Sequence, residues 1–327
     1  MEEIKTSSSS GNNNITTTTA SLDEYNCPYR NNYRTRLVSF RRQKEDERDH
    51  LLHISPLVHP PQQSTLAKAT SAMIDHRPFF PYIFDQGNIG SCTANASIAL
   101  FMYIWNKTNT TNQQNQIDIL SRLFCYYNTR SIEGTTTWDS GASLRDTMKS
   151  LQKYGVPLET CWSYLETNTF KKPFALCYQK IEGYAVQYAA IDNRNKKTLI
   201  TTLSSGLCFV FGMDVYSSFF SEAVTKNGMV PYPNINSETL EGGHALCCCG
   251  YDMNKDLFLV RNSWGKGWGL SGYCWFPSEL LTSALCYDFW TITKLKKRNE
   301  KKGRYEHSSA HIDKRNINIG IIQKKTN

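Results

Sequence analysis

The 327-residue sequence has no apolar run that approaches the ~20 residues needed to span a bilayer. Its opening stretch, "MEEIKTSSSSGNNNITTTTAS", also lacks the apolar segment of a secretory signal. We therefore expect a cytoplasmic protein that makes no membrane contact. In that compartment the 11 cysteines are thiols by default, and their odd number excludes complete pairing within the chain.

Most of the chain carries no net charge. Residues 1–293 contain 26 Lys/Arg and 26 Asp/Glu, so the formal net charge of +8 belongs entirely to residues 294–327. A neutral body argues against a dedicated nucleic-acid enzyme. We expect the basic tail to be disordered, and the alternative is a weak contact with nucleic acid or another acidic surface.

The first 84 residues differ in composition from the central part of the chain. Residues 1–21 are rich in Ser, Asn and Thr and are expected to be disordered. Residues 22–84 form an N-terminal extension. It contains a charged run, "RRQKEDERDH", which could form a short helix, and "HISPLVHPP", whose prolines exclude one. We expect the folded domain at 85–293, and a hydrophobic content of 40% over the chain is ample for its core.

Helical patterns come first in this domain. Apolar residues at spacings of three and four predict a helix that begins at position 92, with Ser91 as its N-cap. The same periodicity predicts a second helix over 119–127 and a third over 144–154. Gly155 is placed to end the third helix, because glycine readily adopts the left-handed conformation of a C-cap.

Strand patterns follow after about residue 181. Short β-rich runs such as "LCFVFGM", "HALCCCGY" and "DLFLVRNSW" are separated by Gly, Pro and Asn. Helices followed by strands favour an α+β fold. We predict a helical lobe at about 85–180 packed on a β lobe at about 181–293.

A candidate nucleophile lies where the first helix begins. In "DQGNIGSCTANA", Gly87 and Gly90 allow a tight turn, and Cys92 then falls in the first helical turn. The helix dipole favours a thiolate there. A lone cysteine is more often a small core residue, but His244 in "EGGHALCCCGYD" and Asn262 in "VRNSWGKGWGLSGY" supply a candidate base and orienter.

These stretches resemble the papain family of cysteine proteases. The match covers roughly residues 75–293. The motif sequences are most similar to those of short papain-like peptidases of bacteria and large viruses. The resemblance implies a papain-like two-lobe fold, with a helical lobe, an antiparallel β-barrel-like lobe and the active-site cleft between them. It also implies hydrolysis of peptide bonds in a protein or peptide substrate, without a cofactor or a metal.

The resemblance assigns a role to each catalytic candidate. Cys92, as a thiolate paired with the imidazolium of His244, attacks the scissile carbonyl, and His244 then protonates the leaving amine. Asn262 accepts a hydrogen bond from the other ring nitrogen. Gln86 and the Cys92 backbone N–H donate to the oxyanion.

Three further residues are implied around these four. Trp264 is expected to shield the His–Asn hydrogen bond from water. Gly141 is expected to offer its backbone to the substrate. Gly243, also assigned to substrate binding, precedes the histidine where other members have Asp or Asn, which removes one group that tunes the pH dependence.

The chain also departs from the secreted members of the family. Ile89 and the region around Asp139 lack the cysteines that form a disulfide in those proteins. The run Cys247–Cys249 raises the alternative of a metal site with His244. Neighbouring residues of a strand point to opposite faces, and no second ligand pair lies nearby, so we expect core residues instead.

Alternative functions remain open at this point. The same residues could act on an isopeptide bond, as in a deubiquitinase, or transfer an acyl group, and a catalytically dead binding protein is a third possibility. For residues 22–84 we consider two hypotheses. Either the extension packs permanently on the lobes, or part of 45–70 lies along the cleft and restrains activity. The oligomeric state is open.

Overall fold

The computed structural model describes residues 38–44, 46–54, 72–80, 82–109 and 118–298, together with the backbone of 305–306 and 319–322. The disorder predicted for 1–21 lies outside these residues, as does most of the basic tail. The described helices are α1 (Cys92–Thr108), α2 (Arg122–Glu133), α3 (Leu144–Lys153), α4 (Ala175–Gln179), α5 (Lys196–Ser204), α6 (Glu222–Asn227) and α7 (Ser278–Leu281). None of them is both long enough and apolar enough to cross a bilayer.

The strands form one mixed sheet. They are β1 (Leu51–Ile54), β2 (Met73–Asp75), β3 (Val156–Pro157), β4 (Ile181–Ala190), β5 (Phe209–Tyr216), β6 (Leu240–Asp252), β7 (Leu257–Arg261), β8 (Tyr273–Pro277), β9 (Cys286–Arg298), β10 (Tyr305–Glu306) and β11 (Ile319–Ile322). Their order is β11-β1-β4-β9-β5-β6-β7-β8, and β2, β3 and β10 pair with β6, β4 and β9. The pairs are antiparallel except β1 with β4.

Helix α1 is the centre of the helical part. It begins at Cys92 as predicted, and all its residues from Cys92 to Asn106 are buried. A helix that is apolar on every side must lie inside the protein, and α1 packs between the sheet and helices α2 and α3. Ser91 occupies the N-cap position, but its side chain does not cap the helix. Its Oγ lies 2.6 Å from the hydroxyl of Tyr164 instead.

The second helix begins later than its apolar pattern predicted. Ser121 is the N-cap of α2, because its Oγ accepts a hydrogen bond from the backbone N–H of Phe124. Leu120 therefore precedes the helix and forms a bridge with Leu158. The third helix, α3, has the predicted bounds to within one residue, and Gly155 follows it with φ of +66°.

Strand β6 separates two hydrophobic cores. Cys247 and Cys249 face the core that contains α1, and Cys248 faces the core between the strands and helix α5. All three thiols are buried. The prediction that the cysteine run supplies core residues on alternate faces is confirmed.

The folded domain extends beyond the predicted limits at both ends. Strand β2 pairs with β6, and Phe80 stacks on Tyr103 of α1 at 4.9 Å between ring centroids. Residues 72–80 and 82–84 are therefore part of the domain. At the other end β9 continues to Arg298. Three residues of β2 are too few to give a detectable strand pattern, and the exposed lysines that end β9 resemble the basic tail.

Candidate active site

Cys92 lies at the start of α1, next to the strand that carries His244. Its side chain is fully buried, and the backbone N–H of Ala245 donates a hydrogen bond to its sulfur. The contact brings the end of the glycine-containing turn against β6. The structure therefore brings together the two sequence segments that were singled out for the nucleophile and the base.

His244 and Asn262 form a direct hydrogen bond. Nε2 of His244 lies 2.8 Å from Oδ1 of Asn262. Because an amide oxygen only accepts, Nε2 carries the hydrogen, and Nδ1 is the acceptor nitrogen of a neutral ring. Oδ1 also accepts from the backbone N–H of Ser263 at 2.7 Å, which fixes the orientation of the amide.

Trp264 covers this pair from one side. Its ring centroid lies 4.9 Å from that of His244, and the tryptophan is buried. Phe219 contacts both rings, at 6.4 Å from His244 and 5.5 Å from Trp264. The aromatic cluster keeps bulk water away from the His–Asn hydrogen bond, since an apolar shell excludes competing donors and acceptors.

Gln86 is held by the segment that follows Asn262. Its backbone N–H donates to the carbonyl of Ser263 at 2.8 Å, and its side-chain oxygen accepts from Ser263 Oγ at 2.7 Å. Nε2 donates to the carbonyl of Ile89 at 3.1 Å, so the amide nitrogen faces the turn before Cys92. The side chain is fully buried.

Burial favours the neutral forms of both titratable groups. It raises the pKa of the Cys92 thiol to about 12, against the hydrogen bonds from the backbone N–H groups of Ala245 and Thr93. It lowers the pKa of His244 to about 4, and the hydrogen bond to Asn262 only partly opposes the shift. Nδ1 of His244 has no hydrogen-bond partner among the described residues. Burial thus disfavours the thiolate–imidazolium pair that the resemblance implies.

Residues 38–44 of the N-terminal extension lie beside these residues, and we call them the cleft segment. Ser39 forms a parallel bridge with Gly243, and the Phe40 N–H donates to the Gly243 carbonyl at 2.9 Å. The next residue, Arg41, donates its N–H to the carbonyl of Ala142 at 3.2 Å. The cleft segment thus links the residue before His244 to the loop before α3.

Glycines make room for the cleft segment. An added Cβ would lie 2.3 Å from Ser39 Oγ at Gly90, and 1.6 Å from the Ser39 carbonyl oxygen at Gly141. At Gly243 it would lie 2.5 Å from the carbonyl oxygen of Phe40. The glycines predicted to bind substrate, Gly141 and Gly243, therefore contact the backbone of the cleft segment. The backbone N–H of Gly141 donates to the hydroxyl of Tyr126. The carbonyl that accepts the hydrogen bond from the cleft segment belongs to the next residue, Ala142.

Phe40 is the apolar anchor of the cleft segment. It is only 6% exposed, and its ring stacks on Tyr287 at 5.6 Å. A Cβ on Gly212 would lie 2.0 Å from Cε1 of Phe40, so the ring rests directly on the backbone of β5. The phenyl ring is therefore buried against β5 and β9.

Polar contacts continue along the segment. Arg41 forms an ion pair with Glu133, and the N–H of Gln43 donates to Asp288 at 2.9 Å. Beyond the segment, Asp49 pairs with Arg145 of α3. The charged run was predicted as a possible short helix, but its described residues form turns and extended chain. Arg41 and Asp49 of this run form ion pairs with residues of the domain. Arg48 pairs with Asp46 within the run, but these two residues are not at helical spacing.

The position of the covering chain differs from the prediction. The sequence suggested part of 45–70, on the strength of its prolines. Residues 38–41 make the contacts at the site, and residues 46–54 then lead away to β1, beside β4. Residues 55–70 lie outside the described part of the chain, so the proline stretch is not tested. Within the described residues, the backbone contacts at the site are made beside glycines, at Gly90, Gly141 and Gly243.

A hydrogen bond bridges the two positions that lack the disulfide cysteines. The N–H of Gly90, next to Ile89, donates to a carboxylate oxygen of Asp139 at 2.8 Å. Tyr126 donates to the other oxygen of that carboxylate. The same two loops are thus held together by polar contacts. The ten cysteines that the structure describes are all free thiols.

The sequence pattern missed three residues of this site. Ala142 receives the cleft segment, Ser263 fixes Gln86, and Tyr164 donates to the carbonyl of Gln86 at 3.0 Å. Ser263 lies in the sequence block that contains Asn262, but its hydrogen bond to Gln86 could not be recognised from the spacing of residues. Tyr164 carried no sequence signal, because its contacts depend on a loop more than 70 residues away. Within the described residues, no group of His, Cys, Asp and Glu could hold a metal.

Comparisons with known proteins agree with this geometry. The family model for "Papain family cysteine protease" matches residues 72–282. The chain belongs to the papain family of cysteine proteases. An uncharacterized peptidase C1-like protein of Acanthamoeba polyphaga mimivirus is 38% identical over 220 residues, which cover 64% of this chain and 69% of the relative.

Solved structures of papain-family proteins share the fold. Xylellain, a cysteine protease from Xylella fastidiosa, superposes with a TM-score of 0.65 at 34% identity, over 78% of this chain and 94% of its own. Procathepsin B S9 from Trypanosoma congolense gives 0.55 at 16% identity, over 67% and 75%, and shows the fold alone. The predicted α+β papain-like fold is confirmed, and the protein is a cysteine peptidase whose substrates are peptides or proteins.

Proposed function

We propose that this papain-family enzyme is an endopeptidase that uses Cys92, His244 and Asn262 as its catalytic triad. The observation that carries the proposal is the 2.8 Å bond between His244 Nε2 and Asn262 Oδ1, with the Cys92 thiol against the same strand. That bond leaves Nδ1 as the acceptor for the thiol proton. Asn262 holds the tautomer, and Cys92 is the nucleophile.

The proposed reaction has two steps of acyl transfer. The Cys92 sulfur attacks the scissile carbonyl after its proton passes to Nδ1 of His244, and the imidazolium then protonates the leaving amine. A water molecule, deprotonated by the same ring, hydrolyses the thioester and regenerates the thiol. Trp264 supports both steps because it keeps the ring dry on the side of Asn262.

Gln86 is proposed as a donor to the oxyanion. The Ser263 hydroxyl fixes the side-chain oxygen and so directs the amide nitrogen to the Cys92 side. The backbone N–H of Cys92 lies at the N-terminus of α1, where the helix dipole adds to the stabilisation of a negative oxygen. Donors fixed in advance need no reorganisation when charge develops.

We further propose that the arrangement is a latent state. The cleft segment binds Gly243 and Ala142 through its backbone and fills the pocket on Gly212 with Phe40. Its direction and register must keep its own peptide bonds from the nucleophile, since otherwise the enzyme would cleave it. Release of the segment hydrates the cleft, which lowers the pKa of Cys92 and raises that of His244 towards the reactive ion pair.

A peptide-library digest tests the catalytic proposal. The purified enzyme is expected to cut within peptides, and Cys92→Ala, with an unchanged thermal transition, is expected to cut none. Full activity of Cys92→Ala would refute the triad. Labelling by a ubiquitin-type probe without cleavage of generic peptides would favour the isopeptidase alternative, and failure of an alkylating agent to react at Cys92 at pH 5–7 after release of the segment would favour a dead site.

Two further properties are proposed from the sequence. The first is a cytoplasmic location, which is supported by the lack of a cysteine at Ile89, where secreted members of the family form a disulfide. A weak contact of residues 294–327 with acidic partners is the alternative to a free tail. Fluorescence imaging of the tagged full chain, and its retention on heparin with and without the tail, test these two proposals.

A further inference from the structure

Two thiols lie side by side in the helical part of the domain, away from the active site. The Cys177 sulfur donates to the carbonyl of Cys161 at 3.3 Å, which places the two cysteines next to each other. Cys161 lies in a turn after β3, and Cys177 lies in α4. Burial and the adjacent Cys161 thiol raise the pKa of Cys177 to about 11.

Accessibility differs between the two thiols in a way that suits stepwise oxidation. Cys161 is half-buried, whereas Cys177 is buried. A small disulfide reaches Cys161 first, and Cys177 then serves as the resolving thiol because it already contacts Cys161. The other described cysteines of this lobe, Cys92 and Cys125, are fully buried.

The turn that carries Cys161 supports the nucleophile loop. Glu159 binds Arg122 through both carboxylate oxygens, at 3.0 and 2.8 Å. Tyr164 lies against the guanidinium of Arg122 at 3.8 Å, and its hydroxyl contacts Ser91 Oγ at 2.6 Å and the Gln86 carbonyl at 3.0 Å. Residues 159–164 therefore form a brace for the loop that ends at the nucleophile.

We propose that Cys161 and Cys177 are a redox modification site, at which a low-molecular-weight disulfide such as oxidised glutathione closes an intramolecular disulfide that locks this brace. The Cys161 thiolate attacks the small disulfide, forms a mixed disulfide and releases one thiol. The Cys177 thiolate then attacks the Cys161 sulfur and releases the second thiol. Two protein thiols are oxidised, one small disulfide is reduced, and the two protons end on the released thiols.

The test uses the full chain with Cys92→Ala, so that the active-site sulfur does not react. Incubation with oxidised glutathione is expected to remove two hydrogens, and peptide mapping is expected to join the peptides of Cys161 and Cys177. Closing a loop of this length is expected to raise the melting temperature by about 5 °C, reversed by a dithiol reductant. Amide exchange is expected to slow in 159–164 and in the turn before position 92.

Two further variants control the result. Adding Cys161→Ser must abolish both the cross-link and the shift of the melting temperature. Adding Cys125→Ser, which removes a buried thiol of the same lobe, must leave both in place. A mixed disulfide that persists at Cys161 would overturn the proposal, as would a cross-link to another cysteine. Formation of the predicted bond without any change in melting temperature or amide exchange would overturn its role as a lock.

Discussion

Replacing Phe40 by alanine tests whether the cleft segment limits activity. The ring is 6% exposed, stacks on Tyr287 and rests on Gly212, so it is the main apolar contact of the segment beside His244. The substitution leaves the proposed catalytic residues untouched. The backbone hydrogen bonds to Gly243 and Ala142 remain possible.

The magnitude follows from the burial of the ring. Removing a buried phenyl side chain costs about 2–3 kcal/mol of burial free energy. A factor of ten in an equilibrium constant corresponds to about 1.4 kcal/mol, so docking of the segment should weaken by about 30-fold to about 150-fold. When the closed state dominates, the open fraction and the turnover rise by the same factor until the enzyme is fully open.

The assay is turnover of a small fluorogenic peptide by the full chain, with the thermal transition recorded in parallel. Phe40→Leu, which keeps most of the apolar contact, should give a smaller rise. Arg48→Ala is the matched control, because its side chain is 88% exposed and pairs only with Asp46. Unchanged turnover in Phe40→Ala would refute the latent state. A large loss of stability without a gain in turnover would show that the segment is a permanent part of the fold.

Three other predictions concern single positions. Gln86→Ala should lower kcat by about 10²–10³, the effect of losing one oxyanion donor, and a change confined to KM would contradict that role. Gly212→Ala should displace Phe40 and raise turnover of the full chain. Turnover equal to that of the wild type would contradict the proposed contact between the Phe40 ring and Gly212. Because His244 has a folded pKa of about 4 and an unfolded value of 6.5, the unfolded state binds the proton first. The free energy of unfolding should therefore fall by about 3 kcal/mol as the pH drops from above 6.5 to 4. His244→Gln should lose this slope in denaturant titrations, whereas the exposed His53→Gln should keep it.

The sequence by itself determined the family and the local elements. The order of Cys92, His244 and Asn262, each within a distinctive block, was sufficient to predict a papain-like protease, because reactive groups of these types are rarely combined with such flanking residues. Helices α1 and α3 and the runs that became β5 to β8 were also predictable. Their apolar spacing is local, so it depends only on neighbouring residues.

The tertiary structure alone decided which distant segments meet at the site. The entry of residues 38–44 into the cleft depends on missing Cβ atoms at Gly90, Gly141 and Gly243, which lie in three separate parts of the chain. The same holds for Tyr164 and its contacts with the loop before Cys92. The burial that shifts the pKa values of Cys92 and His244 is likewise a property of the assembled domain. Neither spacing nor composition contains this information, since it arises only when the backbone of one segment covers the side chains of another.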